Sequence, residues 1–211
     1  MKKLISALFV CLAVSGFSQV SFEQKAKVID VNANFGVYNT ISSDSTARAN
    51  GTTHSDKAAP YGFALGFEYG VLNWLGIGLK GQLCTYLTSK DAATGQTPKA
   101  QAKDLMLVIN THLLRKKHIN LLAGFDFGYS GFKFSSNDTK NSIAKGGGYV
   151  YDLHLTPRLY FTNHLGMYMN LSYIGYGYPG LKISDNDRKY TDHLKFTANG
   201  VNVAIGFQVR F

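Results

Sequence analysis

Six histidines and thirteen acids are the residues through which this chain could do acid–base or metal chemistry. They fall into two groups. His54 and Asp56, with Asp185, Asp187, Asp192 and His193, sit in long polar stretches. Gathered together they could make a metal site or a protease-like rim. Scattered among Ser, Thr, Asn and Lys, they read as solvated surface, and so does Asp138. Gly146–Gly148 follow Lys145, but no Lys-Ser/Thr pair follows them, so the run reads as a pliant lead-in to a strand and not as a phosphate cradle. No metal and no cofactor is expected.

The second group sits in ordered surroundings. Asp30, Glu68, Lys80, His112, Asp126, Arg158 and Arg210 each fall within a stretch of alternating large apolar and small or polar residues. In "PYGFALGFEYG", Tyr61, Phe63, Leu65, Phe67 and Tyr69 alternate with small residues and Glu68. In "VNVAIGFQVRF", the apolar set Val201 to Phe211 alternates with Asn, Ala, Gly, Gln and Arg210. Period 2 means a strand with two unlike faces. The pattern recurs in "KVIDVNANFGV", "LGIGLKGQLCTYL", "DLMLVINTHL", "INLLAGFDFGYSG", "YVYDLHLTPRLYF" and "LGMYMNLSY", which makes eight segments. Met106 and Val108 blur the polar face of the fourth. Connections alternate short and long, from "GVLNW", "RKKH" and "TNH" to polar runs of fifteen residues or more, the rhythm of an up-and-down meander.

Composition narrows the class. "MKKLISALFVCLAVSGFSQ" has a basic start, a short apolar core and small residues before Gln19. It reads as a signal peptide over residues 1–18, leaving a domain over 19–211. Bulky Phe9 and Val10 argue against lipid attachment at Cys11. Cleavage lowers the formal charge from +9 to +7 and leaves Cys84 as the one cysteine, so no internal disulfide is expected. The bases are dispersed, with one cluster at Arg115–His118, so nucleic acid is not an expected partner. No later window holds the ~20 apolar residues of a membrane helix. If the chain meets a membrane, strands must cross it.

The two faces decide the environment. The large residues share one side and the glycine-rich, charged side opposes them. A glycine-rich face with a few charges suits a narrow barrel interior. The apolar face is larger than a water-soluble monomer tolerates and suits lipid. In lipid every backbone group must be paired within the protein, which a closed barrel achieves. Strands of about ten residues, tilted, match a bilayer. Tyr69, Trp74 and Phe161, with Phe211, gather at the short-turn end as interface aromatics. Phe35, Tyr61, Phe63, Tyr129, Tyr149 and Tyr173 gather toward the long loops.

These features together resemble the small outer-membrane β-barrels of Gram-negative bacteria, of the OmpX and OmpA transmembrane type. The glycine- and tyrosine-rich style and the cut before Gln19 resemble the Bacteroidota outer-membrane β-barrel family, which includes PorT-like proteins. The ending "GFQVRF" is similar to that family's assembly signal, carried here by Phe207, Val209 and Phe211. The resemblance implies an all-β, eight-stranded antiparallel transmembrane barrel in the outer membrane, surrounded by its lipid and inserted by the barrel-assembly machinery. It carries no reaction. A lipid A deacylase needs a nucleophile and base on the lipid face, whereas His112 and His154 fall on the interior face. The chain is therefore not expected to be an enzyme.

Eight strands leave room for side chains alone, so a plugged barrel is expected. It would act structurally, or through long loops that bind an extracellular ligand or a secretion or envelope complex. A small-solute pore is the alternative, and a lipid-modifying enzyme a lesser one. Isolated buried charges are costly, so the interior group should pair. Glu68, His112, Arg158 and Arg210 should share a layer near the short turns, with Lys80, Asp126 and Asp30 above it.

Overall fold

A computed structural model describes residues 21–44, 53–88, 97–136, 143–184 and 189–211. Residues 1–18, Asp138, Asp185 and Asp187 lie outside the described residues, as do the side chains of His54, Asp192 and His193. Alternation produces eight strands: β1 (Lys27–Asp44), β2 (Thr53–Gly70), β3 (Leu75–Leu87), β4 (Lys99–Arg115), β5 (Ile119–Ser135), β6 (Ile143–Tyr160), β7 (Leu165–Ser184) and β8 (Lys189–Arg210). Each pairs antiparallel with its sequence neighbour, and β8 returns to β1, closing the barrel.

The period-2 pattern becomes an inside and an outside. Along β4, Ala102, Asp104, Met106, Val108, Asn110 and His112 are buried, while Lys103, Leu105, Leu107 and Ile109 are exposed. Large apolar residues are exposed on every strand, Phe63, Leu105 and Tyr129 at more than 60 %. On β5 this belt runs from Ile119 to Tyr129, about 25 Å of wall once strand tilt is counted. Water would penalise such a surface, and a bilayer would not.

The strands are longer than the ten residues that bilayer matching suggests, from 13 in β3 to 22 in β8. Above the belt the outside no longer needs large apolar groups, so the alternation fades although the ladder continues. Stretches such as "TISSD" and "KAQA" read as loops but are paired wall.

Close packing inside needs glycine at particular points. At Gly62 and Gly128 an added Cβ would lie inside the contact distance of the carbonyl oxygens of Leu83 and Leu105. Bulges adjust the faces elsewhere. The one between His112 and Leu114 keeps His112 in the lumen while Leu113 and Leu114 both face outward. A second, between Tyr178 and Leu181, turns Leu181 inward and Lys182 outward.

Candidate functional site

The lumen is filled in tiers. At the short-turn end, Glu68 on β2 accepts a bond from Arg158 on β6 at 2.8 Å and contacts His112 Nε2 on β4 at 2.9 Å. The other imidazole nitrogen meets the Asn120 amide group at about 3 Å. All four side chains are buried. Arg210, expected in this layer, is drawn to the rim: its Nε and Nη2 donate to the Asn163 carbonyl, and its guanidinium lies 5.2 Å from the Tyr160 ring centroid. Its inward parity is as expected. Its position next to the last turn aims it at that turn's open carbonyl.

A feature the sequence reading missed seals this end. Residues 21–26 fold back across the opening, with Lys25 at a positive φ of 70°. Lys25 N–H donates to the Gly70 carbonyl at 2.7 Å, and Gln24 N–H to Asn73 Oδ1 at 3.0 Å. This puts Phe22, fully buried, flat against His112, with ring centroids 3.5 Å apart. Phe22 thus lids the ion pair. Phe22→Ala should lower unfolding free energy by about 3 kcal/mol, the usual cost of truncating a buried aromatic. The check is urea unfolding in vesicles followed through Trp74, the single tryptophan. An unchanged midpoint would mean that the lid does not contribute to closure.

The middle tier centres on Lys80 of β3. Its ammonium donates to Asp126 at 2.5 Å and to Asp152 at 3.0 Å. Asp126 also meets His154 Nε2 at 3.2 Å, and His154 Nδ1 lies 3.1 Å from the Thr156 hydroxyl. Asp30 joins from β1 by accepting the Tyr168 hydroxyl at 2.7 Å. Asp152, His154 and Tyr168 stand on polar faces, so their parity was visible, but the pairing across strands was not. A polar cavity of about 40 Å³ touches both tiers, bordered by Asp30, Glu68, Lys80, Asp126 and Arg158. It holds a few water molecules at most.

Above this the lumen turns aromatic. Asp104 accepts from Ser130 at 2.5 Å and from the Tyr176 hydroxyl at 3.1 Å. Over it Tyr38, Tyr86, Phe132, Tyr176 and Tyr178 interlock, with centroids 5.1–6.4 Å apart. Carrying parity forward from Tyr129 would have found Phe132 and Phe134, which face inward around outward Lys133. The mouth above this plug holds an open cavity of about 470 Å³, lined mainly by Tyr86, Leu87, Phe132, Phe134, Leu194 and Phe196, with Asp56 on its polar side.

On the outer wall, Tyr69, Trp74, Phe161 and Phe211 are exposed at the short-turn end, as are Phe207 and, in part, Val209. Phe211 exchanges backbone bonds with Lys27 at 2.8 and 3.0 Å, which fastens the end of β8 to β1. Among the described residues no group of three or more His, Cys, Asp or Glu forms a potential metal cluster.

No family model matches the chain, and no curated relative matches it. Solved structures do. The outer membrane protein OprG from Pseudomonas aeruginosa superposes with a TM-score of 0.64 at 14 % identity, covering 90 % of this chain and 97 % of that one. The outer membrane protein AlkL, determined in lipid bilayers, gives 0.57 at 12 % identity, covering 93 % and 95 %. The outer membrane protease OmpT from Escherichia coli gives 0.48 at 11 % identity, covering 93 % and 99 %. The closed β1–β8 ladder and the OprG and AlkL superpositions together give the chain the eight-stranded antiparallel fold of small outer-membrane barrels.

Proposed function

We propose that this chain is an outer-membrane barrel, closed to solutes, that binds a small apolar or amphiphilic ligand in its outward mouth. The observation that carries this reading is the stacking of an apolar cavity of about 470 Å³ on a lumen filled by ion pairs and tyrosines. A water path would have to pass Lys80–Asp126, Glu68–Arg158 and the Phe22 lid in turn. The mouth has the mix expected of a small-molecule site: mostly apolar walls with a few polar groups at one side. The long loops would then face the cell exterior and the short turns the periplasm.

The resemblance to the Bacteroidota barrel family, PorT-like proteins included, is carried by the glycine- and tyrosine-rich strands and by "GFQVRF". It supports export by a cleaved signal peptide and insertion by the barrel-assembly machinery. Phe207, Val209 and Phe211, turned outward on the closing strand, are the proposed handle. Attachment to an envelope or secretion complex through the long loops is compatible with a ligand-binding mouth.

Two measurements test this reading. Purified protein in a planar bilayer should show no single-channel steps; regular steps would replace the closed barrel with a pore. Decanoate carrying a diazirine, photolysed with the protein in nanodiscs, should crosslink saturably to Phe132, Phe134 or Phe196. Crosslinks confined to the lipid-facing belt would remove the mouth site.

A further inference from the structure

Charge is sorted across the wall of this barrel. Asp30, Glu68, Asp104, Asp126 and Asp152 all point inward and are buried or nearly so. Among the described residues, no acidic side chain stands on the outward face of any strand. That face carries lysines instead, at Lys57, Lys99, Lys103, Lys133, Lys145 and Lys182, all exposed. The excess of basic residues is thus mainly a property of the outer surface.

Three of these lysines are in direct register. Lys133 on β5 is opposite Lys145 on β6, and Lys145 is opposite Lys182 on β7. The β7 bulge is what turns Lys182 into this row, since Leu181 beside it is buried. Lys103 flanks the row from β4, opposite Gly131. Like charges placed directly across a ladder repel. Neighbouring Cα atoms there are about 5 Å apart, so three ammonium groups share a patch about 10 Å wide. Among the described residues, no carboxylate on the outer face relieves them.

Height identifies the counter-charge. Lys133 lies four residues beyond Tyr129, and Lys145 four before Tyr149. Tyr129 and Tyr149 are paired across the strands at the upper edge of the apolar belt. Four residues of tilted strand rise about 10 Å. This is the depth at which head groups meet the aromatic edge, where long lysine stems lie along apolar wall and carry their charge outward. Tyr129 leans the same way: a Cβ on Gly147 would run into its ring and hydroxyl, so Tyr129 covers the wall just below Lys145.

We propose that Lys133, Lys145 and Lys182, with Lys103 beside them, form a docking surface for the phosphate groups of an outer-leaflet lipid. The apolar belt beneath receives the acyl chains, and the lysine row receives the phosphates. A free anion would gain the charges without the belt, so the commitment is to lipid-borne phosphate. The naming of the leaflet rests on the orientation given above, but binding in micelles does not, so the two fail separately.

The full chain, refolded in maltoside micelles, is titrated with diphosphorylated lipid A and with its fully dephosphorylated form, and adducts are counted by native mass spectrometry. Wild type should retain the phosphorylated lipid and lose the other. Lys133→Gln/Lys145→Gln/Lys182→Gln should weaken retention on the order of a hundredfold, about fivefold per lysine. Lys116→Gln/Lys117→Gln, at the opposite rim, should not change it. Lys145→Gln alone, at the centre of the row, gives a fivefold reading if the triple variant does not fold. Equal retention of both lipids, equal retention by wild type and the Lys145 variant, or displacement by equimolar inorganic phosphate would each overturn the proposal.

Discussion

Replacing Arg158 with methionine should cost the barrel about 3–5 kcal/mol of unfolding free energy, the usual result of removing one partner from a buried ion pair. Arg158 bonds Glu68 at 2.8 Å, and both side chains are at most 5 % exposed. Without the guanidinium, Glu68 keeps His112 and loses its one permanently charged partner. The narrow lumen can rehydrate it only poorly, since the cavity it borders is about 40 Å³ and holds a few water molecules at most. Glu68→Gln combined with Arg158→Met removes both charges and should recover most of the loss, to within about 1 kcal/mol of wild type. Urea unfolding in phospholipid vesicles gives all four corners of the cycle, with Trp74 as reporter. If Arg158→Met alone falls within about 1 kcal/mol of wild type, the pair is not what holds the short-turn end together.

Gly128→Ala should be comparably damaging, by 3 kcal/mol or about that, at the upper end of overpacking costs. The reason is where the new methyl would go. It would lie within the carbonyl oxygen of Leu105 and 2.6 Å from the Met106 Cα, both backbone atoms of the facing strand. Backbone in a closed ladder cannot step aside without breaking pairs on its other edge. Gly81 and Gly131 provide the contrast. At those positions the nearest heavy atom to an added Cβ is 3.9 Å away or more. Gly81→Ala and Gly131→Ala should therefore be neutral or stabilising by about 0.5 kcal/mol, through the lower entropy of the unfolded chain. Heat-modifiable gel mobility and urea midpoints of the three variants decide the matter. Equal behaviour of Gly128→Ala and Gly81→Ala would show that the wall is more yielding than its geometry implies.

The sequence reading reached the strands where water and lipid impose opposite demands on the two faces. From Tyr61 to Tyr69, or from Val201 to Phe211, every residue is forced to one side or the other, and the period is plain. Above the belt the outside accepts lysine and the inside accepts tyrosine or serine, so hydropathy contrast vanishes while pairing persists. That is why Thr40–Ser43 and Lys99–Ala102 read as loops. Glu68, His112 and Arg158 were legible as a layer because each sits a few residues from a short turn. Arg210 faces inward at the same end, but distance along a strand gave no hint of the Asn163 carbonyl that its guanidinium bonds. Phe22 carried no signal at all: it stands outside any alternation, and only the turn at Lys25 brings it under the lumen.

The seam between β1 and β8 sets the order in which this molecule can come into being. Every other ladder joins strands adjacent in the chain. This one runs from Val28↔Arg210 to Asp44↔Leu194 and joins the two ends of the domain. Contacts so distant in sequence form slowly, because chain entropy must be spent before any pairing rewards it. Until they form, both edges are open to other chains. Asp30 and Asn32 of β1 also reach Tyr168 of β7 across this seam. The final zipping therefore completes the wall and part of the buried polar network in one late event, and the half-life of the open sheet is the interval in which the chain is exposed to misassembly.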